Sequence, residues 1–313
     1  MEEYLSDKIT DEALENLEEK LKLQYAKVYA ELKLKAERYF DKYKERYEKE
    51  HAAYLAGKYT KTQFDAWVKN QIMRGQRYER LRDDAADRIV KANEIAAAYI
   101  NKDLPKIAAE NYNYEFYRAE IIGGNSLGAS FQLMDENSIM NLMTGENHIE
   151  FRTVRHNPKR DYAWNTERIN SALVSGIGQG KDINQLANSF LNVMGGNQAA
   201  AMRNARTAYT SAQNGGRQTG FNRLGERGVE FEKEWISTLD KKTRDSHRHL
   251  DGERVRYDDT FTNGLEYPGD PDGEPSEVYN CRCTVRSVFE GVNDESRITY
   301  YDWLKENGEE DEP

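Results

Sequence analysis

The sequence predicts an α+β protein, with a mostly α-helical N-terminal two-thirds and a small C-terminal α+β domain. Three observations carry this. No proline precedes Pro105, so nothing breaks a helix over the first hundred residues. Apolar residues in that stretch recur at helical spacing. From about residue 229 the pattern changes to short strand-like runs and a turn-rich loop, with Pro268, Pro271 and Pro275 among Gly264, Gly269 and Gly273.

Residues 1–100 read as a long helical arm. Leu14, Leu17, Leu21, Tyr25, Val28 and Leu32 advance in steps of three and four, a coiled-coil-like seam that Tyr39, Tyr43 and Tyr47 extend. A row of this kind is a buried face in a core or coiled coil; the alternative is a docking surface for a partner. Gly57 breaks the first helix. Thr60 or Thr62 caps a second, running through Phe64, Trp67, Val68 and Ile72 and on past Leu81 and Ile89, with an interruption at Met73-Arg74-Gly75.

Residues 101–228 form a helical middle region. Its first part, to about residue 165, is less regular, with a loop at 123–128 and a short helix over 131–144. Thr166 caps a helix through Ile169 and Leu173, and Gly176 to Gly180 make a loop. Asp182 then caps a helix carrying Phe190 and Met194 that Gly195-Gly196 ends, and another runs from Ala199 to about Asn214.

Residues 229–289 form the α+β domain. Val229, Phe231 and Trp235-Ile236 read as strand, and Asp240 to His249 as a polar turn. Cys281, Cys283, Val285, Ser287 and Phe289 share one face of a closing strand that neighbours the Trp235 strand. Residues 290–313 hold nine acidic and two basic residues, an acidic tail expected to be disordered or loosely docked.

Composition excludes several classes. Charged residues make up 32% of the 313, and mean hydropathy is −0.94. The longest apolar run, Ile95 to Ile100, is far short of the roughly 20 residues a spanning helix needs, so no membrane is expected as a partner. The acidic N-terminus lacks the basic and apolar regions of a secretory signal. Cys281 and Cys283, two residues apart on a strand, would set their Cα atoms about 6.5–7 Å apart, at the limit of disulfide geometry, so a reduced pair is expected.

The net charge of −10 is unevenly spread. It is −5 over 228–289 and −7 over 290–313, leaving residues 1–227 near neutral. Within these, 203–227 carry five arginines against Glu226 alone. Arg203, Arg206, Arg217 and Arg223 are therefore the candidate contacts to DNA phosphates, against a solvated or acidic-partner-binding face as the competing reading.

Three clusters suggest chemistry. Gly176-Ile-Gly-Gln-Gly-Lys181 resembles a phosphate loop, but Ser175 stands at the first glycine position and Asp182 where the magnesium-binding hydroxyl belongs, leaving a helix–loop–helix turn. Glu230, Glu232 and Glu234 alternate on one strand face, as paired glutamates do in ADP-ribosyltransferases, but no serine–threonine motif precedes them, which favours a solvated edge strand. The sharpest cluster is His247-x-His249 with Cys281-Arg-Cys283, which could form a tetrahedral Cys2His2 zinc set. Asp240, Asp245 and Asp251 are available to orient the histidines. The competing reading is two core cysteines and two histidines satisfying turn hydrogen bonds. A transferase or hydrolase built on the same residues would need a deep pocket beside His247.

Taken in order, Trp235, Thr238-Leu-Asp240, Arg244, His247, Leu250-Asp251-Gly252, Tyr267-Pro-Gly-Asp-Pro271 and Asn280-Cys281-Arg-Cys283 resemble the phage head morphogenesis family, the Mu F-like minor head proteins. The resemblance covers residues 229–289. Asn204-Ala-Arg206-Thr207 followed by Asn214 looks like the family's helical lead-in. It implies a structural, non-enzymatic minor capsid protein of a tailed phage, in the virion head and, during assembly, in the host cytoplasm. Implied partners are the portal protein, other head or scaffold proteins, and double-stranded DNA, with roles in head morphogenesis, packaging or ejection. The alternatives are a DNA-binding head-interior protein and a phage-encoded transferase or toxin-like enzyme. Some relatives carry Cys-x2-Cys where this chain has Arg244 and His247, and a histidine where it has Val278. By that resemblance His247, Cys281 and Cys283 map onto ligand positions, and His249 would supply a fourth.

Overall fold

The computed structural model describes residues 4–122, 133–135, 137–139, 141, 151–289 and 299–307. Long helices precede a small sheet, as the apolar spacing predicts: α1 (Leu5–Leu55), α2 (Lys61–Ile72), α3 (Gln76–Tyr117), a π-helical turn (Arg118–Ile122), α4 (Pro158–Gly178) and α5 (Ile183–Glu226). Then come β1 (Glu232–Ile236), α6 (Asp245–Leu250), β2 (Arg254–Arg256), α7 (Pro275–Val278), β3 (Thr284–Val288) and α8 (Tyr300–Asn307). No helix among the described residues is long and apolar enough to cross a membrane.

The chain divides into two compact units, residues 18–98 with 155–202, and residues 1–17 with 99–154 and 203–313. The two units interleave along the sequence.

The first unit is all helical. Leu21, Tyr25 and Leu32 of the α1 seam are buried, as are Tyr39 and Tyr47, so the aromatic row packs as core. Tyr39 donates to the Ile72 carbonyl at 2.5 Å, which lets a phenol stay inside. Thr60 caps α2 in a reciprocal capping box with Gln63. The chain breaks after Ile72, and Gly75 takes φ 86° before α3. Inside, Asn93 donates to Asp161 at 2.9 Å and Asn197 at 2.8 Å, Asn197 to Asn165 at 2.8 Å, and Asn165 back to Asp161 at 2.9 Å. Closing this ring satisfies polar groups on α3, α4 and α5 that would otherwise be costly to bury. The helix–loop–helix turn is shorter than expected, because Gly176 and Gly178 still belong to α4; it spans Gln179 to Asp182, and Asp182 and Gln185 bond reciprocally at the start of α5.

The second unit holds the antiparallel sheet, in the order β2-β1-β3. Glu232 faces Arg256 on one side of β1 and Val288 on the other. Trp235, Val285, Leu250, Phe261 and Val278 join Phe221 and Leu224 of α5 in one apolar core. Gly216 permits the close approach of α3: a Cβ there would lie 2.3 Å from the Ala108 carbonyl oxygen. Tyr4 belongs to the same core and bonds the Ser287 carbonyl at 3.3 Å.

Several sequence expectations need correction. Residues 101–117 are regular: α3 runs through Pro105 to Tyr117, with Leu104, Ile107 and Ala108 on either side of the proline buried. Asn157, not Thr166, caps α4. Gly195-Gly196 does not end α5, since neither glycine takes the left-handed conformation that stops a helix. Residues 245–250 of the polar turn form a short helix. In the acidic tail, Tyr300 and Trp303 are buried, and Trp303 donates to Glu120 at 2.8 Å. The loop expected at 123–128 lies outside the described residues, as does most of the helix expected over 131–144, of which 137–139 and 141 are helical.

Candidate functional site

The functional candidates gather where α6, α7 and the approach to β3 meet in the second unit. β1 ends at Ile236, and the next residue begins a chain of bonds. The Trp235 indole donates to Ser237 Oγ at 3.0 Å, and Ser237 Oγ donates to the His247 carbonyl at 2.6 Å. Asp251 accepts from the Ser237 amide at 2.8 Å. Gly252, at φ 81°, turns the chain back so that its amide reaches the Trp235 carbonyl at 2.8 Å. These contacts seat α6 on the end of β1 and aim His247 inward.

The cysteines arrive from the other side. Asn280 is a non-glycine residue in the left-handed region, at φ 58°, a conformation asparagine tolerates better than most. Its amide donates to Thr207 of α5 at 2.8 Å. Thr210 donates to the Cys281 carbonyl at 2.9 Å, and Asn214 to the Cys283 carbonyl at 3.2 Å. Polar groups of α5 thus pin the backbone of Asn280 to Cys283 and turn both sulfurs toward His247. Cys281 and Cys283 lead into β3, whose Thr284 pairs with Ile236 beside Trp235.

His247 Nδ1 lies 3.3 Å from Cys283 Sγ and 3.6 Å from Cys281 Sγ. Its Nε2 lies 3.0 Å from a Glu277 carboxylate oxygen. The exposures are 1% for His247, 2% for Cys281 and 4% for Cys283, so all three are core residues that a substrate cannot reach unless the fold opens. Both cysteines are free thiols. A hydrogen bond from Cys281, helped by His247, pulls the Cys283 pKa well below the ordinary thiol value; the same bond and burial push that of Cys281 up.

His249 does not join them. Spacing of i, i+2 would align two side chains on a strand, but on α6 it turns them about 200° apart. His249 is exposed, with Nδ1 2.7 Å from the Asp245 carbonyl. Among the described residues no aspartate bonds the His247 ring either; the Asp251 carboxylate acts on α6 through Ser237. Asp240 holds Arg282 in a two-pronged ion pair at 2.6 and 2.7 Å, which keeps its carboxyl far below the usual range. Glu277 takes the orienting role; its position on α7, four residues before Cys281, gave no periodic signal. Arg244 donates to the Tyr279 carbonyl, bracing the same corner.

The four candidate DNA contacts separate. Arg203 is exposed and Arg206 half-buried, and Arg223 lies 3.8 Å from Glu226. Arg217 is fully buried: it pairs with Asp7 at 2.9 Å and donates to Ser6 Oγ at 2.6 Å and the Val285 carbonyl at 3.0 Å. It is a core ion pair and faces no nucleic acid. Glu234 of the alternating glutamates pairs with Arg254 at 3.2 Å across the β1–β2 register, while Glu230 and Glu232 are exposed.

Comparison with known proteins agrees with this geometry. Residues 167–286 match the family described as Phage Mu protein F like protein. The chain is 24% identical over 288 residues to minor head protein GP7 of Bacillus phage SPP1, covering 91% of this chain and 86% of that protein. It is 29% identical over 197 residues to the NAD(+)–arginine ADP-ribosyltransferase EFV of Enterococcus faecalis, covering 61% of this chain but only 39% of that protein. No solved structure matches the chain. The motif run around the cluster, the family match over residues 167–286 and the likeness along nine-tenths of the chain to a phage minor head protein all make this chain similar to the Mu F-like minor head proteins.

Proposed function

We propose that this chain is a structural, non-enzymatic minor head protein of a tailed phage, built into the head at the portal vertex and acting in head morphogenesis, DNA packaging or DNA ejection. The observation that carries the reading is the likeness to a minor head protein over 86% of that protein's own length. The site agrees with it, because its His, Cys and Trp side chains are buried and mutually bonded, the arrangement of a rigid module. In this reading the protein passes through the host cytoplasm during assembly, docks on portal and scaffold proteins, and meets duplex DNA through Arg203, Arg206 and Arg223. The test is its presence in purified heads and its loss from heads assembled without the portal protein. Heads that lack it from the outset would overturn the reading.

The partial likeness to an ADP-ribosyltransferase favours a second reading, a transferase, with Glu232 and Glu234 as the acidic pair. NAD turnover on arginine substrates that falls in Glu232→Gln and Glu234→Gln would establish it. Wild-type protein without turnover leaves the structural reading standing.

A further inference from the structure

We infer that His247, Cys281 and Cys283 together bind one zinc ion, through His247 Nδ1 and the two sulfurs, with Glu277 holding the imidazole in place and His249 taking no part. The ion clasps α6 to the start of β3.

The spacing of the donors is the first reason. Tetrahedral zinc with bonds of about 2.3 Å to sulfur and about 2.0–2.1 Å to nitrogen sets those two ligand atoms roughly 3.5 Å apart. The observed separations are 3.3 and 3.6 Å. All three donor atoms lie within 4.8 Å of one another, which leaves room for a sulfur–sulfur separation of the same kind.

The second reason is Glu277. Its carboxylate sits 3.0 Å from His247 Nε2, the nitrogen facing away from the sulfurs. It accepts the Nε2 proton, so the Nδ1 lone pair points at the cluster. Carboxylate, imidazole and metal in that order is the usual way a ligating histidine is oriented.

The third reason is mechanical. α6 has six residues and α7 four, too few for either helix to hold by itself. Both approach the cluster, and a metal joining His247 to the cysteines contributes its binding energy to their folding. Charge balances as well. Each thiol releases its proton to solvent when the metal binds, two thiolates neutralise the dication, and the imidazole remains neutral. Among the described residues no fourth His, Cys, Asp or Glu joins the set.

The test uses the full chain, produced with zinc in the medium, and does not depend on the head-protein reading. Elemental analysis is expected to give close to one zinc per chain. Exchange for cobalt is expected to give thiolate-to-metal charge-transfer bands and the intense visible bands of a tetrahedral ion. His249→Ala should keep both signals. Glu277→Gln should fold normally but bind zinc about 10–100-fold more weakly in competition with a chromophoric chelator. The Cys281→Ser/Cys283→Ser double variant should lose the metal; because it can also fail to fold, Glu277→Gln and His249→Ala carry the decision. Folded wild-type protein free of zinc and unable to take up cobalt overturns the inference. So does metal retained by the double cysteine variant or lost from His249→Ala, and unchanged affinity in Glu277→Gln removes Glu277 from it.

Discussion

Lys233 lies on β1 with no exposed surface, two residues from Trp235. Its ammonium donates to Gln218 Oε1 and to the Glu266 carbonyl, both at 2.9 Å, and sits 5.5 Å from the Phe261 ring centroid. Burial pulls its pKa down from 10.5 to about 8, and Glu266, Asp258, Asp259 and Asp270 draw it only partly back. That lowering is worth about 3 kcal/mol between the two protonation states. The sign follows from proton binding. Below pH 8 the amine is charged in both the folded and unfolded chains, so the full burial cost is present and constant. Between pH 8 and 10.5 the unfolded chain binds more protons, so this group's contribution to stability rises with pH, and it is complete above 10.5. A window from about pH 8 to about pH 9.5 spans roughly 1.5 units, or about 2 kcal/mol. That window stops short of the range where buried tyrosines act with the opposite sign; burial raises the Tyr112 pKa to about 12, so the unfolded chain ionises it first. The assay is urea unfolding of wild type and Lys233→Met across this window, followed by one probe. The difference in stability should move by about 2 kcal/mol in favour of wild type. Lost hydrogen bonds give the variant a constant offset, which does not enter the comparison. Parallel pH profiles for the two proteins would refute a desolvated ammonium at this position.

Three other perturbations bear on the packing. Arg217→Met removes the buried cation that Asp7 and Glu115 share, leaving Glu115, whose pKa burial already raises, with no paired cation at that face, and should cost about 3–5 kcal/mol in urea unfolding. Gly216→Ala forces α3 and α5 apart at Ala108 and should cost about 1–3 kcal/mol, whereas Gly195→Ala, with open space at its Cβ, should gain about 0.5–1 kcal/mol; the reverse order of melting temperatures would contradict the packing described. Trp303→Ala should cost about 3–5 kcal/mol and make the tail sensitive to protease, while Tyr301→Ala, at an exposed position on the same helix, should do neither.

Much of the helical scaffold was legible because it follows local rules. The three-and-four spacing of Leu17, Leu21, Tyr25 and Leu32 marked a buried face, and Thr60 and Asp182 marked helix starts through their own capping bonds. Burial of Val285, Ser287 and Phe289 follows the alternation of β3. What escaped depends on distant partners. Arg217 counts as one more cation in a basic stretch until Asp7 and Glu115 are brought beside it. Gly195-Gly196 has the local look of a helix stop, but neither glycine takes the left-handed conformation and α5 runs on through both. At the site, the pairing of His247 with the cysteines was visible as chemistry. His249 was misplaced because the same i, i+2 spacing means one face on a strand and opposite faces on a helix, and six residues gave too little periodicity to tell them apart.

The interleaving of the two units gives the motif residues a common task. The family match, residues 167–286, begins within α4 in one unit and ends in β3 of the other. The core around β3 is completed by residues outside that range: Tyr4 near the N-terminus, Phe116 at the end of α3 and Trp303 in the tail. Inside the range, the motif residues mostly hold backbone in place. Asp240 fixes Arg282, Asp251 fixes Ser237, Trp235 acts through Ser237 on His247, and Asn280 supplies a left-handed turn before the cysteines. Each bond closes a loop too irregular to be held by sheet or helix, and all of them converge on one buried trio. A motif of this kind specifies the rigidity of a small, loop-rich module.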